Sequence, residues 1–335
     1  MKTLLIDVDE TGFPNLALMQ LSTHLKEHGH TVEFGSSKGT PDIVYVSCVF
    51  TENREKGYSV GAYYPDSKKI YGGTGFNKKN HVDYFSHQYP DYNLYPECDY
   101  SLGFMTRGCI RNKITCPWCV VPKKEGYIRE HSPLSEFDNP DFKKIMLLDN
   151  NLIAHPNHIK LLHDLAESKK KVCITQASDI RLITEENAAA LLNIRSYDTK
   201  FKNKRYYFAW DNPKIEPLVI KGIETLLDTG FKAKELQFYV LINCNTNYKE
   251  DIHRVQTLRE YGCKPYVMLY NKRKGTYHHH LKRWVERRYC ELMPWIEYDH
   301  GDSQKWIKQM EGIEPNNGVK LENFTVLKQS KRIES

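Results

Sequence analysis

Apolar residues along this chain come in short bursts that switch between two periods. The run 4–8 is apolar except for Asp7, as a buried strand requires. From Leu16 to His28 the apolar positions fall at helical spacing, and Gly29 follows as a stop. The runs 31–34 and 43–50 read as further strands, and 69–76 as a strand running into the Gly72-Gly73 turn. Strands alternating with helices predict a small parallel sheet over 1–76. Residues 77–100 are polar and Tyr-rich with Pro90 and Pro96, and are expected to link this unit to a second.

Beyond 100 the alternation is more regular. Strands are expected at 101–106, 144–148, 171–176, 205–210, 235–242 and 264–270. Pro156 suits the first turn of a helix with Ile159, Leu162 and Leu165 on one face. Thr184 before Glu185-Glu186 suits another helix start. Ile215, Leu218, Ile223, Leu226 and Leu227 mark a third helix, stopped by Gly230. Ile252, Val255 and Leu258 mark a fourth, stopped by Gly262. The fold class is therefore α/β: a small Rossmann-like parallel sheet (1–76), a linker (77–100) and a partial (β/α)6 barrel (101–274). A helical or mixed extension with Trp284, Trp295 and Trp306 completes the chain (275–335), its tail polar from 313 onward. Barrels of this kind carry their sites at the C-terminal ends of the strands.

Composition narrows the class. Of 335 residues, 40% are hydrophobic and 27% charged, as in ordinary globular chains of about two domains. No run of about 18 apolar residues exists, so no membrane span is expected. Acids interrupt the first apolar run at once, unlike a signal peptide. Nine cysteines without a secretory signal suggest reduced thiols and a cytoplasmic location. The net charge is +6, and the basic residues (Lys169 to Lys171, Lys200 to Arg205, Lys272 to Lys274, Arg287-Arg288) read as scattered solvated faces. They leave nucleic acid open as a partner.

The chemistry concentrates in Gly108-Cys109-Ile-Arg-Asn-Lys-Ile-Thr-Cys116-Pro117-Trp118-Cys119-Val-Val-Pro-Lys-Lys-Glu125-Gly126. Three thiolates on one loop can hold an iron–sulfur cluster and leave one iron without a protein ligand. The C-x2-C half is shared with zinc sites and redox dithiols. Structural zinc takes four ligands, and no second cysteine or histidine pair follows at ribbon or finger spacing. Cys98 or His131 is available to close a tetrahedron, so a zinc-stabilised nucleic-acid-binding module stands as an alternative. Flanking Arg107, Lys113, Lys123 and Lys124 favour thiolate and offset the charge of a cluster.

This segment resembles the cluster loop of radical S-adenosylmethionine (SAM) enzymes, and is most similar to a branch with an N-terminal cobalamin-binding-like domain. The similarity continues through Leu148-Asp149-Asn150-Asn151, Gln176-Ala-Ser-Asp179-Ile-Arg181, Tyr207-Phe-Ala-Trp-Asp211 and Phe238-Tyr-Val-Leu-Ile242, across about 95–275. The family's usual spacing is C-x3-C-x2-C, and here three further residues separate Cys109 from Cys116. A loop absorbs such an insertion cheaply. The resemblance implies that Cys109, Cys116 and Cys119 hold a 4Fe-4S cluster whose fourth iron binds the amino and carboxylate groups of SAM. One electron, from a donor such as flavodoxin or ferredoxin, then yields methionine and a 5'-deoxyadenosyl radical. That radical takes hydrogen from a small-molecule or otherwise unassigned substrate, and no catalytic residue is implied.

The resemblance also places Trp118 near the adenine, with ordinary packing as the alternative. It places Asp149 and Asn150 near the methionine amino group, and Gln176, Asp179 and Arg181 near ribose, ammonium or carboxylate. A self-paired turn before a helix is the alternative for that trio. Asp211 either faces substrate or caps the next helix, and capping is preferred. In the N-terminal unit, Asp7-Val-Asp9-Glu10-Thr11-Gly12 is similar to the Asp-x-His-x-x-Gly of cobalamin domains but lacks the histidine. Ser47 and Gly72-Gly73 are similar to later markers of those domains. Cobalamin is not expected, and a cobalamin-dependent radical SAM methyltransferase is the alternative. Cys48 and Cys98 alone do not suggest a second cluster. His278-His279-His280 cannot share one direction on a helix and reads as a surface run. Cys173, Cys244, Cys263 and Cys290 are expected in the core.

Overall fold

The computed structural model describes residues 1–77, 83–111, 116–270 and 277–298. Met1–Tyr266 form one compact unit, and the chain from Val267 belongs to a second.

The first unit opens with β1 (Lys2–Asp7), α1 (Leu16–Glu27), β2 (Thr31–Phe34), β3 (Ile43–Ser47), α2 (Arg54–Ala62) and β4 (Lys68–Gly72). Their strands form a parallel sheet in the order β2-β1-β3-β4. The continuous apolar run of β1 follows from burial on both faces. Leu4 and Ile6 pack with Val44, Val46 and Cys48, and Leu5 packs with Leu18, Leu21 and Leu25 of α1. The sequence gives no sign of α2 because its inner face is glycine. A Cβ on Gly57 or Gly61 would lie 2.4 Å from the ring of Phe76 or the hydroxyl of Tyr71.

Residues 83–100, expected as linker, are packed into this unit. Buried Asp91 accepts from Ser22 Oγ (2.6 Å) and Lys26 Nζ (2.5 Å) on α1. Tyr95 donates to Asp7 Oδ2 (3.0 Å), and the Tyr92 hydroxyl takes the amide of Leu102 (3.0 Å). Tyr92 and Cys98 share a core with Leu16, Met19, Leu102, Met146, Cys173 and Phe201. Tyrosines that read as polar are thus the mortar between the N-terminal sheet and the strands that follow. Residues 78–82 lie outside the described residues.

Next come β5 (Ser101–Gly103), β6 (Thr106–Arg107), α3 (Val121–Lys124), β7 (Arg129–Glu130), β8 (Lys144–Leu147), α4 (His158–Glu167) and β9 (Lys171–Ile174). They are followed by α5 (Glu185–Leu192), β10 (Tyr206–Ala209), α6 (Glu216–Thr229), β11 (Leu236–Ile242), α7 (Tyr248–Glu260) and β12 (Lys264–Leu269), whose start lies in this unit. Strands β5-β8-β9 form one parallel sheet, and β10-β11-β12 are the order of another, with β10 and β11 parallel. A single parallel bridge, Ser178 to Phe208, joins them, with Ser178 N donating to Tyr207 O (2.9 Å).

The expected strand 101–106 is split, and the cause is Asp149. Its carboxylate takes the amides of Met105 (3.1 Å) and Thr106 (2.5 Å), so neither can extend the β5 ladder. The chain resumes as β6, antiparallel to β7. Helix ends follow local chemistry. Thr184 and Asn187 form a capping box at α5, and Asn247 and Glu250 form one at α7. Gly230, at φ +109°, ends α6. Helix α4 starts at His158, two residues after the expected Pro156, and buries Leu161, Leu162 and Leu165.

In the second unit α8 (Tyr277–Glu286) buries Leu281, Trp284 and Val285. Its histidine run is half-buried rather than a plain surface run, and burial pushes His278 down to about 4. Trp306 and the polar tail lie outside the described residues, among which no helix is long and apolar enough to cross a membrane.

Candidate functional site

The cysteine loop leaves β6 and returns through α3 to β7. Its two ends are pinched together. Gly108 sits at φ +84°, and a Cβ there would lie 2.3 Å from the carbonyl oxygen of Tyr127. Cys109 N donates across the pinch to Gly126 O (3.3 Å). Glu125 locks it: its Oε2 accepts from Arg107 Nε (3.1 Å), Gly108 N (3.1 Å) and Asn150 Nδ2 (2.7 Å). Burial alone would raise this carboxyl, but Arg107, the Gly108 amide, Lys124 and Asn150 together hold it below the usual range.

Cys109 and Cys116 line a cleft of about 130 Å³. Trp118 lines it from the same loop, Asn150 and Asn151 from the end of β8, Asp179 and Arg181 from the turn after β9, and Asp211 from the end of β10. Cys119 is half-buried at the following turn, its amide donating to Cys116 O (3.0 Å). The Cys116 thiol is pushed up to about 11, first by burial and then by Cys119, with Asp211 and Cys109 adding to the rise and Arg181 opposing it. The three thiols are therefore electrostatic neighbours. Among the described residues no three His, Cys, Asp or Glu side chains stand in metal-holding geometry. As donors the trio fits a thiolate-held cluster in kind and neighbourhood. Loading one requires the sulfurs to draw together and shed their protons.

A second constellation braces the cleft. Asp179 Oδ2 accepts from Arg111 Nε (2.7 Å) and Arg181 Nη2 (2.9 Å), and its Oδ1 accepts from Arg181 Nε (2.7 Å). The backbone amide of Asp179 donates to Asn151 Oδ1 (3.2 Å). Burial opposes ionisation of Asp179, but Arg181 and Arg111 outweigh it and hold the carboxyl below its usual range. Arg111 belongs to the long spacing between Cys109 and Cys116, so that spacing is anchored to the turn after β9.

Behind the cleft, Arg254 of α7 is wholly buried. It donates to the carbonyls of Trp210 (2.7 Å), Asp211 (3.1 Å) and Leu241 (3.1 Å), and pairs with Asp251 (2.5 Å). One guanidinium thus ties the ends of β10 and β11.

Of the site residues expected from sequence, Cys109, Cys116, Trp118, Asn150, Asp179 and Arg181 share the cleft. Asp149 is wholly buried outside it, its oxygens taken by Met105 and Thr106. Gln176 is exposed and does not line it. Asp211 does not cap α6, contrary to the preferred reading. Its Oδ1 accepts from Leu241 N (2.9 Å), while Asn212 caps the turn by accepting from Lys214 N. Asn151, expected beside Asp149 and Asn150 at the strand end, lines the cleft as well, and Arg111 joins it without having been singled out, although it falls within the quoted cysteine motif. Cys98, a possible fourth zinc ligand, lies in the apolar core, and His131 lines a separate small cavity with His87 and Glu136.

The cobalamin-like markers of the N-terminal sheet have internal partners. Asp9, at the position of the missing histidine, takes the amides of Val49 (2.5 Å) and Phe50 (3.3 Å) and Asn53 Nδ2 (2.8 Å). Gly73, at φ +95°, passes so close to Cys48 O that a Cβ would lie 2.3 Å from it.

No protein-family model matches this chain, and no curated protein matches it. Among solved structures it is similar to the apo, selenomethionine-labelled form of OxsB, a cobalamin-dependent S-adenosylmethionine radical enzyme. The TM-score is 0.48 at 13% identity, over 96% of this chain and 62% of that one. This chain therefore spans less than two thirds of its neighbour's length. A likeness of that size does not by itself establish a shared fold or activity.

Proposed function

We propose that the chain is a radical SAM enzyme, with Cys109, Cys116 and Cys119 as ligands of a 4Fe-4S cluster and SAM in the adjoining cleft. The observation that carries this reading is convergence: one three-cysteine loop and the ends of β8, β9 and β10 meet at a single cleft. The two sheets, joined at Ser178 and Phe208, are read as a partial (β/α)6 barrel over 101–274. The N-terminal sheet is read as a Rossmann-like accessory domain over 1–76.

When bound, the cluster and SAM supply one-electron cleavage of the sulfonium and a carbon radical for hydrogen abstraction. The chain's own residues aim and enclose. Trp118 offers a flat apolar wall for adenine. Arg111 and Arg181, both held by Asp179, bring guanidiniums to the cleft that suit the SAM carboxylate, with Asp211 as a further acid on the β10 side. Asn150 is held by Glu125, which ties the cleft wall to the loop ends. Asp149 positions rather than binds, since it fixes the backbone where the loop departs. Electron donor and substrate are separate partners, with flavodoxin or ferredoxin chemistry suited to the first. The location that fits is the cytoplasm, and no cobalamin role is proposed.

The test is electron paramagnetic resonance on anaerobically reconstituted, dithionite-reduced protein, with and without SAM. A 4Fe-4S signal that changes on adding SAM supports the reading, and Cys116→Ala should abolish SAM cleavage. A colourless protein carrying zinc, or full cleavage in that variant, overturns it.

A further inference from the structure

We propose that Asn151 raises the reduction potential of the cluster by donating a hydrogen bond to the sulfur of Cys109. The inference rests on the cluster reading given above and adds to it a residue outside the cysteine loop.

Asn151 is the last of three polar residues at the end of β8, and each has a separate task. Asp149 fixes the amides of Met105 and Thr106, and Asn150 donates to Glu125 at the loop ends. Asn151 is buried and reaches in two directions. Its Oδ1 accepts from the backbone amide of Asp179 (3.2 Å), and its Nδ2 donates to Cys109 Sγ at 4.0 Å, a long contact. The first contact fixes the orientation of the side-chain amide. A backbone N–H only donates, so it must meet the oxygen, and the nitrogen is turned to the sulfur. That sulfur is the sole acceptor for Nδ2 among the described residues. A buried N–H with one acceptor is held to it, because the alternative is an unmade hydrogen bond. The sulfur receives a second donor from its own loop, the amide of Arg111 at 3.4 Å.

Hydrogen bonds to the sulfurs are among the levers that set the potential of an iron–sulfur cluster. Three thiolates around a 4Fe-4S core leave a net negative charge, and one added electron makes it more negative. An N–H aimed at a ligand sulfur therefore stabilises the reduced form more than the oxidised form. The electron comes from the flavodoxin-like or ferredoxin-like donor, which loses one as the cluster gains one, with no bond made or broken. Asn151 acts through Cys109 rather than on the reacting atoms, so it is a positioning residue. The same amide joins that sulfur to the turn braced by Arg111 and Arg181, so one side chain connects a cluster ligand to the arginine-lined wall.

The experiment is a redox titration of the full chain, anaerobically reconstituted with iron and sulfide, followed by electron paramagnetic resonance without SAM. At a fixed ambient potential, Asn151→Leu should lower the reduced-to-oxidised ratio about threefold to tenfold, the worth of one hydrogen bond. For a one-electron couple that is a midpoint lower by about 30–60 mV. Asn151→Gln keeps an amide donor and should recover more than half of the shift. Asn151→Ser, too short to reach the sulfur, supplies the comparison where the leucine variant loads no cluster. Equal potentials in wild type and the donor-less variant overturn the inference. So does a higher potential in that variant, the sign that water entering a loosened loop would give. A glutamine variant that titrates with the leucine variant overturns it as well. A wild type that shows no 4Fe-4S signal is a different failure, since it removes the cluster reading and this inference with it, whereas equal potentials sink the inference alone.

Discussion

Replacing Asp179 by Asn keeps the shape of the side chain and removes the charge that two guanidiniums share. Arg111 and Arg181 would then lose the carboxylate they share, with Asp211 left as the acidic side chain near Arg181. Their side chains are 26% and 18% exposed, and that of Asp179 is 10% exposed, so water can restore only part of the loss. Breaking a fully buried pair costs about 3–5 kcal/mol. Partial exposure reduces this to about 2–3 kcal/mol, which in a unit of this size lowers the melting temperature by roughly 4–12 °C. The effect has a pH window. The carboxyl of Asp179 is held below its usual range, so its stabilisation is present above the unfolded value of about 3.9 and is lost as pH falls through the lower folded value. The gap between wild type and Asp179→Asn should therefore be wide at pH 7 and close as pH drops below about 4. Thermal melts of both proteins across pH 3 to about 7 measure it. Equal melting temperatures at pH 7, or a gap that does not narrow as pH falls below about 4, would refute the shared-carboxylate account. A double-mutant cycle with Arg111→Ala should show coupling, since the two residues touch.

Other outcomes follow from the same geometry. Burial pushes Asp149 up to about 6, so the folded state holds that proton longer than the unfolded chain. Stability should fall by up to about 3 kcal/mol as pH rises from about 4 to 6 and then level off, a slope that Asp149→Asn removes in chemical denaturation. Gly222→Ala should destabilise by roughly 1–3 kcal/mol despite alanine's helix preference, since its Cβ would lie 2.6 Å from Ile180 O; an unchanged urea midpoint would count against the close approach. Arg254→Met should cost about 3–5 kcal/mol by stranding Asp251 and the strand-end carbonyls, and Asp251→Asn should recover part of that loss in the double variant.

The strands and helices were legible where periodicity reflects burial, as in β1 and α6. They were illegible where packing uses no apolar stripe. Helix α2 seats Gly57 and Gly61 against aromatic rings, and no hydrophobic pattern marks such a helix. The tyrosines of 83–100 looked polar by composition, yet Tyr92 is core, because a phenol buries its ring once its hydroxyl finds partners such as the Leu102 amide. The cleft was half legible. Motif order brought Trp118, Asn150, Asp179 and Arg181 to one place. It could not separate Asp149 from Asn150, because adjacent residues at a strand end point to opposite sides and only the structure says which side is the cleft. Arg111 was visible in the sequence, but its meaning lies in a carboxylate 68 positions away.

The pinch at Gly108 gives the cysteine loop a property of its own. With Gly108 against Tyr127 and Glu125 bound across the gap, the segment between is a hoop whose ends are fixed by its neck. Lengthening such a loop leaves its neck in place, and each doubling of a flexible loop costs only about 0.6 kcal/mol. The interval between Cys109 and Cys116 can therefore take extra residues at little entropic cost, within the limit set by the pairing of Arg111 with Asp179. The neck has no such freedom: a Cβ at position 108 would press on the Tyr127 carbonyl and shift the backbone where the loop closes.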